Sequence, residues 1–333
     1  STTGNELVFD RIPDLLDPTN LSWPFKDGML SNQKARASVT IASDKSIGSI
    51  AVDFGGAGYL IEPEVFISVP SDANSLVGSY EQAFATAKID SGVVSEIIID
   101  ANYSGKGYDQ NTTIEIEGGI HFVRCVEDGN YSGKFYRILS NTGDTLVLEN
   151  TLNEDLGLVF SSNAMVEIFE ASTLGSLFGY SATELKMGGL SVADYVYVLK
   201  PPGEQNGSVS DYRAYYHDGN YWKDTNGSSL DASDTVIYPD KSFILARRSD
   251  RNSVNSFLEI TLSGVALMQD SFVHIPAKDQ RALINNPFGL DTMLSDLIPA
   301  ENITLDTNDT KKWLASANKE EADNVDVLNS GVW

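Results

Sequence analysis

Two segments of this chain spell the same unit. Residues 48–70 read GSIAVDFGGAGYLIEPEVFISVP, and residues 92–119 read GVVSEIIIDANYSGKGYDQNTTIEIEGG. Each passes from an alternating stretch through Gly-x-Gly-Tyr into a second alternating stretch. The motif is Gly56-Ala57-Gly58-Tyr59 in the first copy and Gly105-Lys106-Gly107-Tyr108 in the second, an offset of 108 − 59 = 49 residues. Glycines at a tight corner admit positive φ without a Cβ clash. Around them Ile50, Val52 and Phe54 alternate with Ser49, Ala51 and Asp53, and Val65, Ile67 and Val69 alternate with Phe66 and Ser68. Period-2 patterning puts one apolar row on one face of a strand. Ile97 and Ile99, answered by Ile114 and Ile116, form the matching rows of the second copy. The tyrosines are expected over the hairpin mouths. Between the copies, Ala83, Ala85, Ala87 and Ile89 alternate with Phe84, Thr86 and Lys88. That spacing reads as a strand with a small-residue face, although alanine leaves a helix open.

The succession Gly-x-Gly-Tyr, then Glu62-Pro63-Glu64-Val65-Phe66-Ile67, then the alanine alternation and Gly92-Val93-Val94, resembles a β-repeat of phage fibres and bacterial surface proteins. The second copy departs from it, with Asn111-Thr112-Thr113 in place of the proline. The resemblance covers roughly residues 35–119 and implies display or assembly rather than any reaction.

After Ile120 the pattern becomes one of short strands at close spacing. His121–Val126, Gly133–Leu139, Thr145–Leu148 and Ala164–Phe169 read as strands, with one helical turn at Ser172–Phe178. Val192–Leu199 is another strand. Tyr212–Tyr216 and Tyr221–Lys223 pair across His217-Asp218-Gly219-Asn220, a hairpin signal. Further strands are expected at 242–248, 257–265 and 271–275. The segments His121-Phe122-Val123-Arg124, Gly133–Ile138, Thr173-Leu174 with Leu177-Phe178, Asp194–Tyr197, Tyr215-Tyr216 with Tyr221-Trp222, and Ile260–Gly264 carry a second resemblance. Residues 120–298 are similar to an uncharacterised family of secreted β-rich proteins from Verrucomicrobia and related bacteria. It implies secretion and β architecture, and no activity.

These readings divide the chain into an N-terminal arm (1–34), a duplicated repeat domain (35–119), a second β-domain (120–298) and a tail (299–333). The fold class is all-β: a repeat β-domain followed by a β-meander, sandwich or barrel, with a short C-terminal helix from Lys311 to about Ala322, capped by Asp309 or Thr310.

Composition bounds the function. Of 333 residues, 47 are acidic and 23 basic, a net charge of −24. Nucleic-acid phosphates require Lys and Arg, so nucleic acid is an unsuitable partner. An anionic membrane surface is equally unsuitable, and no apolar run reaches the ~18 residues of a membrane-spanning helix. The lone cysteine, Cys125, allows no internal disulfide, and its neighbours place it in a strand as a buried thiol. The wealth of Ser, Thr, Asn, Asp and Gly, with few Lys, is the make-up expected of an extracellular bacterial protein, and a removed signal peptide is one of two explanations of a start at Ser1, the other being a trimmed sequence.

The search for chemistry yields little. His121, His217 and His274 lie far apart, with no metal-binding spacing, and no nucleophile elbow or P-loop occurs. The sequence therefore names no catalytic residue and no cofactor, and an enzyme is not expected. Asp218, Asp224, Asp231 and Asp234 crowd one loop region and are weak Ca²⁺ candidates, although the spacing of a dedicated calcium loop is missing. Tyr215, Tyr216, Tyr221 and Trp222 form a dense hairpin that could stack on surface glycans, as an adhesin or carbohydrate-binding protein would. Such rings more often pair across strands. Leu7, Val8, Phe9, Trp23, Phe25 and Trp333 are apolar residues of irregular termini. They are the candidate assembly arm of a secreted subunit that polymerises with copies of itself into a filament, tube or surface layer by adding a strand to a neighbour.

Overall fold

A computed structural model describes residues 2–10, 12–13, 21–22, 24–71, 80–126, 130–162, 164–181, 183, 185–200, 204, 211–227, 230–248, 303–306, 313–314 and 316. The chain divides into two compact units, Ser1–Asn285 and Asn286–Trp333. Among the described residues the architecture is mostly β, in antiparallel sheets apart from one two-stranded parallel pair, with two short helices. No described helix is long and apolar enough to cross a membrane.

The N-terminal residues are strands. β1 (Thr2–Thr3) and β2 (Glu6–Val8) form a hairpin, and β3 (Ile12–Pro13) pairs with β4 (Leu21–Ser22).

The duplicated region contains two hairpins. β5 (Arg36–Ile41) pairs with β6 (Ile47–Phe54). β8 (Ala85–Asp90) pairs with β9 (Val93–Ile99), which decides the alanine segment in favour of a strand. Each hairpin is followed by its Gly-x-Gly-Tyr loop and a short strand, β7 (Val65–Ile67) or β10 (Ile114–Ile116). β7 and β10 pair with each other, Val65 opposite Ile116 and Ile67 opposite Ile114, so the two copies are related by a local two-fold through Phe66 and Glu115. The relation is reciprocal. Tyr59 N–H donates to Gly92 O in the turn of the second hairpin, and Tyr108 N–H donates to Lys45 O in the turn of the first, at 3.1 and 3.0 Å. Likewise Val94 N–H donates to Gly55 O and Ile47 N–H to Ser104 O. Each copy's loop is locked onto the other copy's turn.

The tyrosines do not lie over the hairpin mouths. Tyr59 and Tyr108 are buried, at 2% and 1% exposure, in the two halves of the core. Each hydroxyl accepts the N–H of the alanine that leads into its own hairpin, Ala35 or Ala83, at 2.8 Å. This explains the glycines. Gly56 and Gly105 have φ of +66° and +76°. A Cβ on Gly56 would stand 2.9 Å from the Tyr59 ring and 2.2 Å from Gln33 O, and one on Gly105 would stand 2.4 Å from the Tyr108 ring. The ring can enter only because the corner beneath it has no side chain.

The next sheet has six strands in the order β1-β2-β13-β12-β11-β14, where β11 is His121–Cys125, β12 Phe135–Asn141, β13 Thr145–Leu148 and β14 Val166–Glu170. Both faces of β11 are covered, as its near-continuous apolar run requires. Val123 and Cys125 join Leu7, Ile138, Leu146 and Leu148 on one side, under helix α1 (Leu156–Val159). On the other, Phe122 is enclosed by Phe135, Phe169 and Tyr238 with ring centroids 5.4–5.6 Å apart. Cys125 is a buried free thiol.

Helix α2 (Leu174–Phe178) is fixed by a reciprocal cap between Thr173 and Ser176. It packs on a four-stranded sheet ordered β17-β16-β15-β18: β15 is Tyr195–Leu199, β16 Tyr212–His217, β17 Trp222–Asp224 and β18 Ile244–Ala246. Trp222, fully buried, donates from its indole N–H to Gly179 O at 2.7 Å.

Residues 24–36 tie these regions together. Gly28 N–H donates to Asn141 O, His121 N–H to Leu30 O, and Gln33 exchanges two bonds with Ala57. Lys26 pairs with Glu64 and Glu117, and Lys34 with Glu115 and Glu170. Burial opposes the Lys34 charge, but the two carboxylates outweigh it and raise its pKa.

In the second unit, β19 (Ile303–Thr304) and β20 (Trp313–Leu314) pair in parallel. The helix expected from Lys311 is therefore not formed at 313–314. An aromatic followed by a γ-branched residue suits a pleated ladder, and pairing with Ile303–Thr304 overrides the local capping signal. The strands expected at 257–265 and 271–275, His274, Trp23 and Trp333 lie outside the described residues.

Candidate functional site

The candidate site is the seam between the six-stranded and four-stranded sheets. Residues 231–241 run along it. Leu174 N–H donates to Thr235 O, Gly175 N–H to Ser233 O, and Ile237 N–H to Ser172 O. These bonds hold the segment against α2 and aim its side chains at the strands on either side.

Alternation supplies the rest. On β12, Tyr136 and Ile138 face the core under α1, so Arg137 shares the opposite row with Phe135. On β16, Arg213 shares the inward row with buried Tyr215 and His217. Arg137, Lys200, Arg213, Tyr215, Asp234 and Tyr238 thus line a cavity of about 180 Å³, walled by Val198, Leu199 and Val236. Arg137 and Tyr238 also border a smaller cavity of about 50 Å³ beside Lys134 and Glu154.

The polar groups here are unevenly satisfied. Tyr238 donates its hydroxyl to Glu149 at 2.5 Å, and Tyr136 donates to Glu154 at 2.7 Å while buried Lys134 pairs with the same carboxylate. Burial, then these carboxylates, push both phenols far above their ordinary range. Arg213 pairs with Glu204 at the outer end. By contrast Arg137 Nε, Arg36 Nη1, Asp231 Oδ2 and Asp234 Oδ2 are the buried side-chain atoms without a hydrogen-bond partner among the described residues. All four belong to this seam.

Arg36 arrives from the repeat. Its guanidinium lies 4.3 Å from the centre of the Phe54 ring and 4.0 Å from that of Tyr180, between the two. Asp231 and Asp234 approach it at 3.6 and 3.9 Å, too far for hydrogen bonds. Burial raises the pKa of Asp234, and the Asp231 charge adds to that. A hydrogen bond from Gln33 and the Arg36 charge oppose it.

The residues singled out in the sequence fall elsewhere or divide. Trp222 and Tyr215 are core residues, because the register that pairs His217 with Trp222 turns both inward. Only Tyr216 and Tyr221 of that quartet are left for contact, Tyr221 at the turn and half exposed. On the outer row Tyr195, Tyr197 and Tyr216 form an edge-to-face ladder with centroids 6.2–6.3 Å apart. Asp218 and Asp224 are turn acceptors: Asp218 takes the N–H groups of Asn220 and Tyr221, and Asp224 that of Asn226. Asp231 takes the Ser233 N–H and hydroxyl, and together with Asp234 faces a cation. No three His, Cys, Asp or Glu side chains converge as a metal site among the described residues. His217 accepts from Gly219 N–H at Nδ1, which leaves Nε2–H to donate to Tyr180 O. Leu7 is in the core, opposite Leu146 on β13, and Phe9 meets Phe25 edge-on at 5.0 Å.

Sequence reasoning missed Arg36, Arg137, Lys200 and Arg213. For Arg137 and Arg213 a signal existed: each cation occupies the row of an aromatic two positions away, partly buried Phe135 or buried Tyr215. No protein-family model, curated protein or solved structure matches the chain.

Proposed function

We propose that this chain is a non-catalytic structural subunit of a bacterial extracellular assembly, joined to copies of itself by exchange of its N-terminal hairpin. The observation that carries the reading is the position of β2. It fills one edge of β13 with three residues and inserts Leu7 into the core. Asn5 O accepts from Leu148 N–H and Phe9 N–H donates to Asp144 O, at 2.8 and 2.7 Å. These are main-chain bonds, which the same hairpin of a second copy makes equally well. The high negative charge keeps such a subunit soluble until it docks. The make-up of the sequence supports secretion.

Deleting residues 1–25 tests this. Electron microscopy and light scattering of the full chain should show polymers, and the deletion should show none. A synthetic peptide of residues 1–10 should bind the deleted protein and restore its cooperative unfolding. A full chain that is monomeric at all concentrations, or a deletion that assembles as the full chain does, removes the proposal.

The outer tyrosine ladder favours a second reading, adhesion through glycan stacking. A glycan array with Tyr216→Ala and Tyr221→Ala decides it. Absence of binding by the parent, or binding unchanged in both variants, removes the idea.

A further inference from the structure

We propose that the cavity around Arg137 binds a small organic oxyanion, a sugar acid or comparable carboxylate. The charge argument comes first. The chain carries twice as many acids as bases, yet Arg137, Lys200 and Arg213 line this one cavity, where Asp234 is the sole acid among the described lining residues and Arg213 meets Glu204 at the outer end. An excess of cations against that background is a local feature with its own cause.

Arg137 is the decisive residue. A guanidinium stays charged at every relevant pH, and a half-buried one is costly unless paired. No described carboxylate forms an ion pair with Arg137. Its side chain hydrogen-bonds to Tyr238, and Nε has no hydrogen-bond partner among the described residues. The Tyr238 hydroxyl is already committed to Glu149. An entering oxyanion would take the free Nε donor and have Arg213 and Lys200 within the same walls. The planar fork of arginine matches a carboxylate or sulfate in two parallel bonds.

The remaining walls define the body of the ligand. Val198 and Val236 give an apolar side, and the ring of Tyr215 a flat one. At about 180 Å³ the space is below the ~300–1,000 Å³ of pockets for drug-sized ligands. It suits a single sugar residue or an acid of a few carbons. This site is separate from the N-terminal hairpin, so it stands or falls independently of assembly.

The test is titration calorimetry of the full chain with three probes: glucuronate, sodium sulfate and neutral glucose. Glucuronate should bind, glucose should not, and added salt should weaken the interaction. Arg137→Gln should weaken glucuronate binding about ten- to a hundredfold, the loss of one or two hydrogen bonds to a charged group. Arg213→Gln, at the more exposed end, serves as a second variant should Arg137→Gln fail to fold. Sulfate binding with the same arginine dependence supports recognition of the oxyanion itself. No heat from glucuronate up to roughly 10 mM, equal binding of glucose, or affinity indifferent to both substitutions overturns the proposal. Sulfate bound without glucuronate overturns its organic part.

Discussion

The duplicated module and the seam between the two larger sheets solve the same problem in opposite ways. Both bring together segments distant in the chain, and both bury polar groups. In the module each tyrosine hydroxyl accepts a backbone N–H, each corner glycine clears room for a ring, and each loop is bonded to the other copy's turn. At the seam, four buried polar atoms have no hydrogen-bond partner among the described residues, three of them on the Arg36–Asp231–Asp234 charge cluster, and three cations line a cavity. Closed hydrogen bonding fixes one arrangement. Open hydrogen bonding leaves something for a ligand to do. The difference separates scaffold from site within a single chain.

The sharpest way to break that contrast is at Gly56. Gly56→Ala combines a left-handed backbone with a Cβ 2.2 Å from Gln33 O. Chemical denaturation should show a loss of about 2–5 kcal/mol, the sum of conformational strain and overpacking. Gly58→Ala has the same sign of φ but its Cβ meets nothing closer than 3.6 Å. It should lose only the conformational part, about 1–2 kcal/mol. Equal losses would mean that the ring does not need the empty corner.

The next effect tests the two-fold. Tyr59→Phe and Tyr108→Phe each leave a buried alanine N–H unsatisfied and should cost about 1–3 kcal/mol. The alanine bond is common to both sites, and Tyr59 also donates to Glu117 O at 3.2 Å, so Tyr59→Phe should cost at least as much as Tyr108→Phe. A large loss for one alone would show that the copies have diverged in role.

The smallest effect lies at the seam and depends on pH. Burial raises the folded-state pKa of Asp234. Between the unfolded carboxylate value, ~3.9, and the higher folded value, the folded chain holds the extra proton. This group's contribution to stability therefore falls as pH rises through that window. Asp234→Asn removes the dependence, so its stability relative to the parent should improve as pH rises from acid towards neutral. A difference that is flat, or that runs the other way, would show that Arg36 rather than burial governs the site.

Much of the module was legible because its information is local. The rows Ile50-Val52-Phe54 and Ala83-Ala85-Ala87 announce strands and their inward faces without reference to the rest of the chain. The inward turn of each tyrosine depends on the empty corner of its own motif, and the cross-locking left no local signal because it joins residues 45 and 108, or 59 and 92. The seam was illegible for a stronger version of that reason. Arg36, Arg137, Arg213 and Asp231 come from four distant segments, and no spacing links them. Proximity in sequence does not fix a shared face: in the acidic cluster at 218–234, Asp218 and Asp224 serve turns while Asp231 and Asp234 face Arg36, and strand alternation splits the aromatic quartet at 215–222. At 313–314 the local reading of a helix gives way to a strand partner ten residues upstream.

The reciprocal docking of the two copies has a consequence for counting. One copy alone would present a loop with no turn to grip and a turn with no loop to hold it, so its folded form is half of an object. Such a fragment should recover its missing half only by meeting a twin. The smallest stable number of these units is thus two, whether they sit on one polypeptide or on a pair, and chains that multiply the motif are constrained to even tallies.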